Sequence, residues 1–325
     1  MNLKSSVTVI VPVFNAELHI RKCLESLLHQ TDNSFDVICI DDCSQDDSCS
    51  LLKAYVPLFQ GRMRVFSNEK NLGGGASRML AVNMAETQYV TFLDSDDYVS
   101  DDYIQMFCEE TSSSPDIIVA GYTKDYGAKM ELHGPVAMPW CLTTYSISCA
   151  KMYKREFLCR NRVGFSSIRC GEDILFGLEL FSLRPKVKVI DYCGYYYTFN
   201  DKSTTNTMRE GMERNVAEIF SQFSSWVKAD SLDGYQWQVI EYTYFANMIN
   251  ALVVYSRKCG RKTMDDKLTF FFEDYKTRFP DLFSNPLLRF KNAKGQSMRI
   301  RLSVAIMAFL NKFGLDRFVY KIFSL

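Results

Sequence analysis

The sequence predicts an α/β fold, a doubly wound and mostly parallel sheet, followed by a helical carboxy-terminal appendage. Three observations predict it. Short apolar runs alternate with stretches of helical period through the first half of the chain. The runs are near-continuously apolar, as in strands buried on both faces of a parallel sheet. Polar and acidic residues follow each run at once, where the carboxyl ends of parallel strands open onto a ligand crevice.

The first run, over 7–13, holds Val7-Thr8-Val9-Ile10-Val11-Pro12-Val13 and is punctuated by Pro12 and Asn15. Asn15 is expected to cap a helix over 16–29, with Ile20, Leu24, Leu27 and Leu28 on one face. A second strand over 35–40 ends in Asp41-Asp42-Cys43-Ser44-Gln45-Asp46-Asp47, which leads into a helix over 46–58. A third, over 64–67, runs into the turn 68–75 with its three consecutive glycines, then a helix over 76–85. The fourth strand, over 89–93, is followed directly by Asp94, Asp96 and Asp97, and a fifth is expected over 116–120.

Clustered carboxylates repel one another and resist desolvation, so something positive belongs among Asp94, Asp96 and Asp97. A hard cation, Mg²⁺ or Mn²⁺, takes oxygen ligands and shares them with substrate phosphates. The bland alternative is a solvated acidic turn that caps the helix starting near Ser100. Gly73-Gly74-Gly75-Ala76-Ser77-Arg78 has neither the glycine spacing of a dinucleotide fingerprint nor the Gly-Lys-Ser/Thr of a P-loop. Its glycines let the backbone approach a ligand, and Arg78 supplies a cation for phosphate oxygens or a base ring. The structural alternative for Arg78 is an ion pair with a neighbouring acidic loop. A carboxylate such as Asp42 can accept the imide N–H of a uracil ring.

The chain has 325 residues, 47% hydrophobic and 23% charged, enough for one large domain and an appendage. Its net charge of +0 implies no general affinity for nucleic acid. Eleven Cys are scattered without a Cys-x-x-Cys, and the start carries no apolar signal segment. Free thiols in a reducing cytosol fit this pattern better than a disulfide framework. Three His, none near a Cys pair, make zinc a poor expectation. No run approaches the roughly 18 consecutive apolar residues of a spanning helix.

Val7 to Glu17, Asp41-Asp42-Cys43-Ser44-Gln45-Asp46, Asn71-Leu72-Gly73 through Ser77-Arg78, and Phe92-Leu93-Asp94-Ser95-Asp96-Asp97, in that order, resemble the family 2 glycosyltransferases of GT-A fold. The resemblance covers about residues 1–205, with 1–120 as the nucleotide-sugar part and 121–205 as the acceptor and base side. It implies that Pro12, Asn15, Glu17, Asp42 and Arg78 line the nucleotide pocket. Asp94-Ser95-Asp96 would be the family's Asp-x-Asp motif, with Asp96 on the metal and Asp94 on the ribose or the metal. Two departures stand out: Cys43 where Gly is usual, and Met79 where Asn is usual.

Sugar transfer from a nucleoside diphosphate needs a base opposite the leaving group. Gly171-Glu172-Asp173 resembles the family's Glu-Asp motif at a helix start, which implies Asp173 as general base and Glu172 as its partner or an acceptor ligand. The structural alternative is ordinary charge pairing at a helix amino terminus. A single base on the back face implies inversion, a UDP-α-sugar giving a β-linkage. Tyr195-Tyr196-Tyr197 follow, with Thr198 where the family often has a basic residue. Trp140 is either a sugar-stacking platform or a core aromatic.

Residues 206–325 read as helices, expected over 209–228, 235–257 and 264–278. In the last stretch Arg289, Lys291, Lys294, Arg299, Arg301, Lys312, Arg317 and Lys321 face one acid, Asp316, around the apolar run 302–310. Such a segment suits an anionic membrane surface or packing on the catalytic domain. The resemblance to bacterial O-antigen and capsule transferases implies a UDP-sugar donor and a lipid-linked or oligosaccharide acceptor. It also implies a peripheral place on the cytoplasmic face of the inner membrane. The sugar, the linkage and the oligomeric state are left open. A metal-dependent phosphatase, a glycosidase, a nucleotidyl transferase and a non-catalytic nucleotide-sugar-binding module are the rival readings.

Overall fold

The computed structural model describes residues 6–168, 170–200, 211–256, 259–279, 284–313 and 320. They form two compact units, one of 1–141, 147–167 and 183–200, the other of 142–146, 168–182 and 201–325. Where the sequence suggests a division near 205, the second unit also takes in 142–146 and 168–182.

The strands of the first unit are β1 (Val7–Val13), β2 (Phe35–Asp41), β3 (Met63–Ser67), β4 (Tyr89–Phe92), β5 (Tyr98–Val99), β6 (Ile117–Val119), β7 (Tyr122–Asp125), β8 (Met130–His133), β9 (Lys151–Lys154), β10 (Val187–Val189) and β11 (Tyr195–Thr198). Its helices are α1 (Ile20–Leu28), α2 (Ser48–Tyr55), α3 (Gly74–Met84) and α4 (Tyr103–Cys108), and later α6 (Arg155–Asn161) after the single turn α5 (Trp140–Thr143). The main sheet has the order β10-β6-β9-β4-β1-β2-β3. The five expected strands lie in it, and β1, between β4 and β2, is buried along its whole length. The β1–β2, β1–β4, β2–β3 and β6–β10 pairs are parallel. β9 is the exception, antiparallel to both β4 and β6. It escapes a sequence reading because its four residues, Lys-Met-Tyr-Lys, show no apolar run.

A second sheet, β5-β11-β7-β8, also escapes that reading; its strands have two to four residues each. It is fastened by side chains. The Tyr98 and Tyr196 rings stack 4.6 Å apart, and Lys22 of α1 lies 3.4 Å above Tyr98. The buried Asp125 carboxylate accepts from the Gly127 amide (2.8 Å), the Tyr98 hydroxyl (2.8 Å) and Lys22 Nζ (3.5 Å).

The first helix differs from expectation. It begins at Ile20, and Asn15 does not cap it. Asn15 holds a left-handed φ of 49°, and its side chain is turned to the loop after β2, so the intervening residues form turns instead.

The helices of the second unit are α7 (Glu172–Ser182), α8 (Met212–Trp226), α9 (Gly234–Asn250), α10 (Arg261–Arg278) and α11 (Met298–Lys312). The expected helices are present; the one expected over 235–257 breaks into a π-turn at Ala251–Tyr255. Asp233 and Gln236 form a capping box at the start of α9. The core is aromatic: Phe220 meets Tyr244 edge-on at 5.0 Å, and Tyr275 packs against Phe245 and Phe279 at 5.7 and 5.4 Å. Two of its buried hydroxyls donate to acids, Tyr244 to Asp274 and Tyr275 to Glu241. At Gly177 of α7 an added Cβ would lie 1.9 Å from the Leu142 carbonyl oxygen, so that helix tolerates no side chain there. No described helix is long and apolar enough to cross a membrane.

Asp125 gives a pH test. The Gly127 amide, then the Tyr98 hydroxyl and Lys22, hold its carboxyl below the ordinary range, against the effect of burial. A depressed folded pKa adds stability above the unfolded value near pH 4, and that stability is lost as pH falls through the folded value. Asp125→Asn is expected to cost about 2 kcal/mol in urea unfolding at pH 7, with the gap from the parent closing in more acid solution. A gap independent of pH would show that the charge plays no part.

Candidate functional site

Because β1 to β4 run parallel, the loops after them share one rim. Hydrogen bonds between the loops set its shape. The Asn15 amide donates to Ser44 Oγ (3.0 Å), and Asn15 Oδ1 accepts from the Gln45 amide (2.8 Å). Glu17 and Asp46 exchange equivalent bonds: the Glu17 amide reaches Asp46 Oδ2 and the Asp47 amide reaches Glu17 Oε2, both at 3.1 Å. Pro12 lies buried within β1, in register with Ile40.

Asp42 is 2% exposed. Its Oδ1 accepts from Asn68 Nδ2 (2.7 Å) and the Leu72 amide (2.9 Å), and its Oδ2 from the Gly73 amide (2.7 Å). It therefore holds the loop after β3 against the loop after β2. That loop delivers Gly73, at φ 88°, to the start of α3. At Gly75 an added Cβ would sit 2.5 Å from Phe165 Cβ, so glycine is required for packing there.

Arg78, one turn into α3, is buried and donates to Asp94 Oδ1 at 2.6 Å. Its guanidinium lies 5.3 Å from the centre of the Phe165 ring. The ion-pair reading of Arg78 is the one observed: it pairs with an acidic loop, and that loop is the carboxylate cluster after β4.

The three carboxylates of the cluster differ. Asp97 is 2% exposed, its Oδ2 accepting from the Tyr195 hydroxyl (2.5 Å) and its Oδ1 from the Thr198 amide (2.8 Å). The Asp94 amide also donates to the Tyr195 hydroxyl (3.4 Å). Asp97 thereby fastens the end of β4 to β11 and is a structural anchor. Thr198, where a basic residue would be usual, contributes its backbone to that anchor. Asp96 is half-buried, and its own backbone amide donates to its carboxylate. Burial, then the charge of Asp94, push its pKa up, with its own backbone amide, His19 and Arg78 acting in the opposite sense. Burial and the same three carboxylates push the Tyr197 hydroxyl up. Ser95 lies half-buried between Asp94 and Asp96.

A hard cation fits this donor set. Asp96 has both oxygens to offer and Asp94 has one beyond its bond to Arg78. No group of three or more His, Cys, Asp and Glu arranged for a metal occurs among the described residues. Mg²⁺-type sites commonly need only one or two carboxylates, with substrate phosphates and water completing the shell.

In the second unit, Glu172 and Asp173 occupy the first turn of α7, after Gly171 at φ 91°. Their charges, after burial, raise the Cys170 thiol pKa. A helix amino terminus favours ionised carboxylates. Trp140 is 2% exposed, which makes it a core aromatic and excludes the stacking platform. Sequence reasoning passed over Phe14, an aromatic 47% exposed on the rim beside Asn15, and Leu72, 47% exposed after β3. The available signal was a large apolar side chain just beyond a strand end. Ser203 to Thr205 lie outside the described residues.

Residues 8–161 match the model of glycosyl transferase family 2. The poly(ribitol-phosphate) beta-glucosyltransferase of Bacillus spizizenii is 26% identical over 237 residues, covering 70% of this chain and 37% of that protein. The chain thus spans little more than a third of that relative. Among solved structures, residues 1–349 of TarS from Staphylococcus aureus superpose with a TM-score of 0.70 at 18% identity, covering 98% of this chain and 90% of that one. The same fragment in complex with UDP-GlcNAc gives a TM-score of 0.64 at 19% identity, covering 84% of this chain and 90% of that one. The mannosyltransferase PcManGT of Pyrobaculum calidifontis, in complex with GDP-Man and Mn²⁺, gives 0.55 at 13% identity, covering 99% and 86%. At these identities the superpositions establish the fold.

Cys43 has a φ of 65°, a left-handed conformation that glycine adopts without strain. This explains why Gly is usual there. Cys43→Gly is expected to raise stability by about 0.5–1 kcal/mol in urea unfolding, the relieved strain exceeding the added freedom of the unfolded chain. A destabilised variant would mean that the thiol contributes a contact worth more than the strain.

Proposed function

We infer that this chain, whose residues 8–161 match the model of glycosyl transferase family 2, transfers a hexose or N-acetylhexosamine from a UDP-sugar to a cell-surface polymer or its lipid-linked saccharide precursor, with inversion. The observation that carries this reading is the acidic rim: Asp96 crowded by Asp94 and, among the described residues, without an ion-pair partner, beside the Arg78 guanidinium. That arrangement is short of positive charge and is suited to meet a cation and a diphosphate together. Support for UDP comes from the TarS fragment crystallised with UDP-GlcNAc. Support for a polymer acceptor comes from relatives named for poly(ribitol-phosphate).

In this reading Asn15, Glu17 and Asp42 shape the nucleotide pocket by holding its loops, around Pro12. Arg78 and Ser95 face the donor, with Phe14 and Leu72 offering apolar surface to a flat base. Mn²⁺ or Mg²⁺, held by Asp96 with Asp94, would supply positive charge to the leaving diphosphate. Asp173 takes the proton from the acceptor hydroxyl, with Glu172 orienting it. The hydroxyl oxygen then bonds to the anomeric carbon as the bond to the diphosphate oxygen breaks, and UDP leaves with that electron pair. Attack from the face opposite UDP turns an α-linked donor into a β-glycoside. The rival reading, a non-catalytic nucleotide-sugar-binding module, keeps the rim and lacks the base.

The test is a panel of UDP-sugars with polyol-phosphate and diphospholipid acceptors, reading released UDP. Asp173→Asn is expected to keep UDP affinity and lose about a thousandfold or more in kcat. A fully active Asp173→Asn would move the base role elsewhere. Binding of a UDP-sugar with no turnover by the parent on any acceptor would favour the binding module.

A further inference from the structure

Helix α11 packs by one face only. The helix lies against α9 and the turn at 286–288, and its Val304 and Met307 are buried. On the opposite face Met298, Leu302, Ile306 and Phe309 are 72%, 49%, 45% and 62% exposed, and Phe313, just past the helix end, is 59% exposed. At 3.6 residues per turn these five fall within an arc of about 80° on the side away from Val304 and Met307. The Phe309 and Phe313 rings touch, 5.0 Å apart. The result is a continuous apolar ridge about 22 Å long.

The charge around the ridge has one sign. Residues 284–313 contain six Lys and Arg and no Asp or Glu. Arg299 and Lys312 are exposed on opposite edges of the ridge. Arg289, Lys291 and Lys294 are exposed in the segment leading into it. Arg301 is held in place, its Nε and Nη2 donating to the Phe290 carbonyl at 3.0 and 2.7 Å, over a Phe290 ring that is itself 38% exposed.

We propose that α11 is a membrane-surface anchor, lying in the plane of an anionic bilayer with Met298, Leu302, Ile306, Phe309 and Phe313 sunk among the acyl chains. Apolar side chains along one helical arc with basic residues on both flanks are what an interfacial helix presents. The charge argues for lipid over a second copy of the chain. Two such ridges meeting would bring twelve like charges together, from six on each copy, whereas anionic headgroups attract every one. The proposal stands on this unit alone and does not depend on the transferase reading.

The test is sedimentation of the whole chain with vesicles of phosphatidylcholine alone or mixed with an equal part of phosphatidylglycerol, at low and high salt. The parent is expected to bind the mixed vesicles and to release from them in salt. Leu302→Ser with Phe309→Ser, both at exposed positions, is expected to weaken binding about a hundredfold. Arg299→Gln and Lys312→Gln are expected to weaken it about fivefold each. Circular dichroism checks the fold of each variant, and the charge variants serve if the serine pair fails to fold. Absence of vesicle binding by the parent overturns the proposal, as does binding unchanged in the serine pair or in the charge variants. A parent dimer in light scattering that the serine pair makes monomeric would show that a second copy covers the ridge.

Discussion

The Arg78–Asp94 ion pair is the contact around which the acidic rim is arranged. A guanidinium that is buried must keep a partner, because an unpaired buried charge costs about 3–5 kcal/mol. The partner is the first acid after β4, and pairing fixes where that loop turns. The second acid, Asp96, makes no ion pair among the described residues, and burial with the charge of Asp94 pushes its pKa up. The third, Asp97, is bound to Tyr195 and Thr198 and locks the loop to the small sheet. One stretch of four residues thus holds a paired, an open and an anchored carboxylate. Their division of labour follows from the neighbours of each.

Rigidity of the rim follows from a second constraint. Loops after parallel strands expose backbone amides that must be satisfied. Here acidic and amide side chains of the neighbouring loops satisfy them: Asp42 for Leu72 and Gly73, Asn15 for Gln45, Glu17 for Asp47. These residue types recur at ligand-binding rims, and in this chain their first work is to hold the rim together. A pocket fixed by such bonds before a ligand arrives loses little ordering entropy on binding.

Much of the first unit was legible. The five runs read as strands lie in the main sheet, because a strand buried on both faces must be apolar at nearly every position. What stayed hidden was short or held by tertiary contacts. β9 owes its place to pairing with β4 and β6, and the four strands of the second sheet owe theirs to Tyr98, Tyr196 and Asp125. Asn15 misled for a physical reason: the residue type that caps helices also tolerates a left-handed φ and can bond a distant loop. The separate fates of Asp94, Asp96 and Asp97 depend on Arg78 and Tyr195, 16 and 101 residues away from Asp94 along the chain. The exposed ridge of α11 depends on which face Val304 and Met307 bury, and an apolar run alone does not specify that face.

The cation role proposed for Asp96, shared with a nucleoside diphosphate, rests on its place between Asp94 and Asp97 on the rim. It is tested most directly by calorimetric titration of UDP into the whole chain, with and without Mn²⁺, for the parent and Asp96→Ala. Mn²⁺ is expected to tighten UDP binding to the parent by about tenfold or more, and the alanine variant is expected to lose this gain. An equal Mn²⁺ gain in both proteins would contradict it.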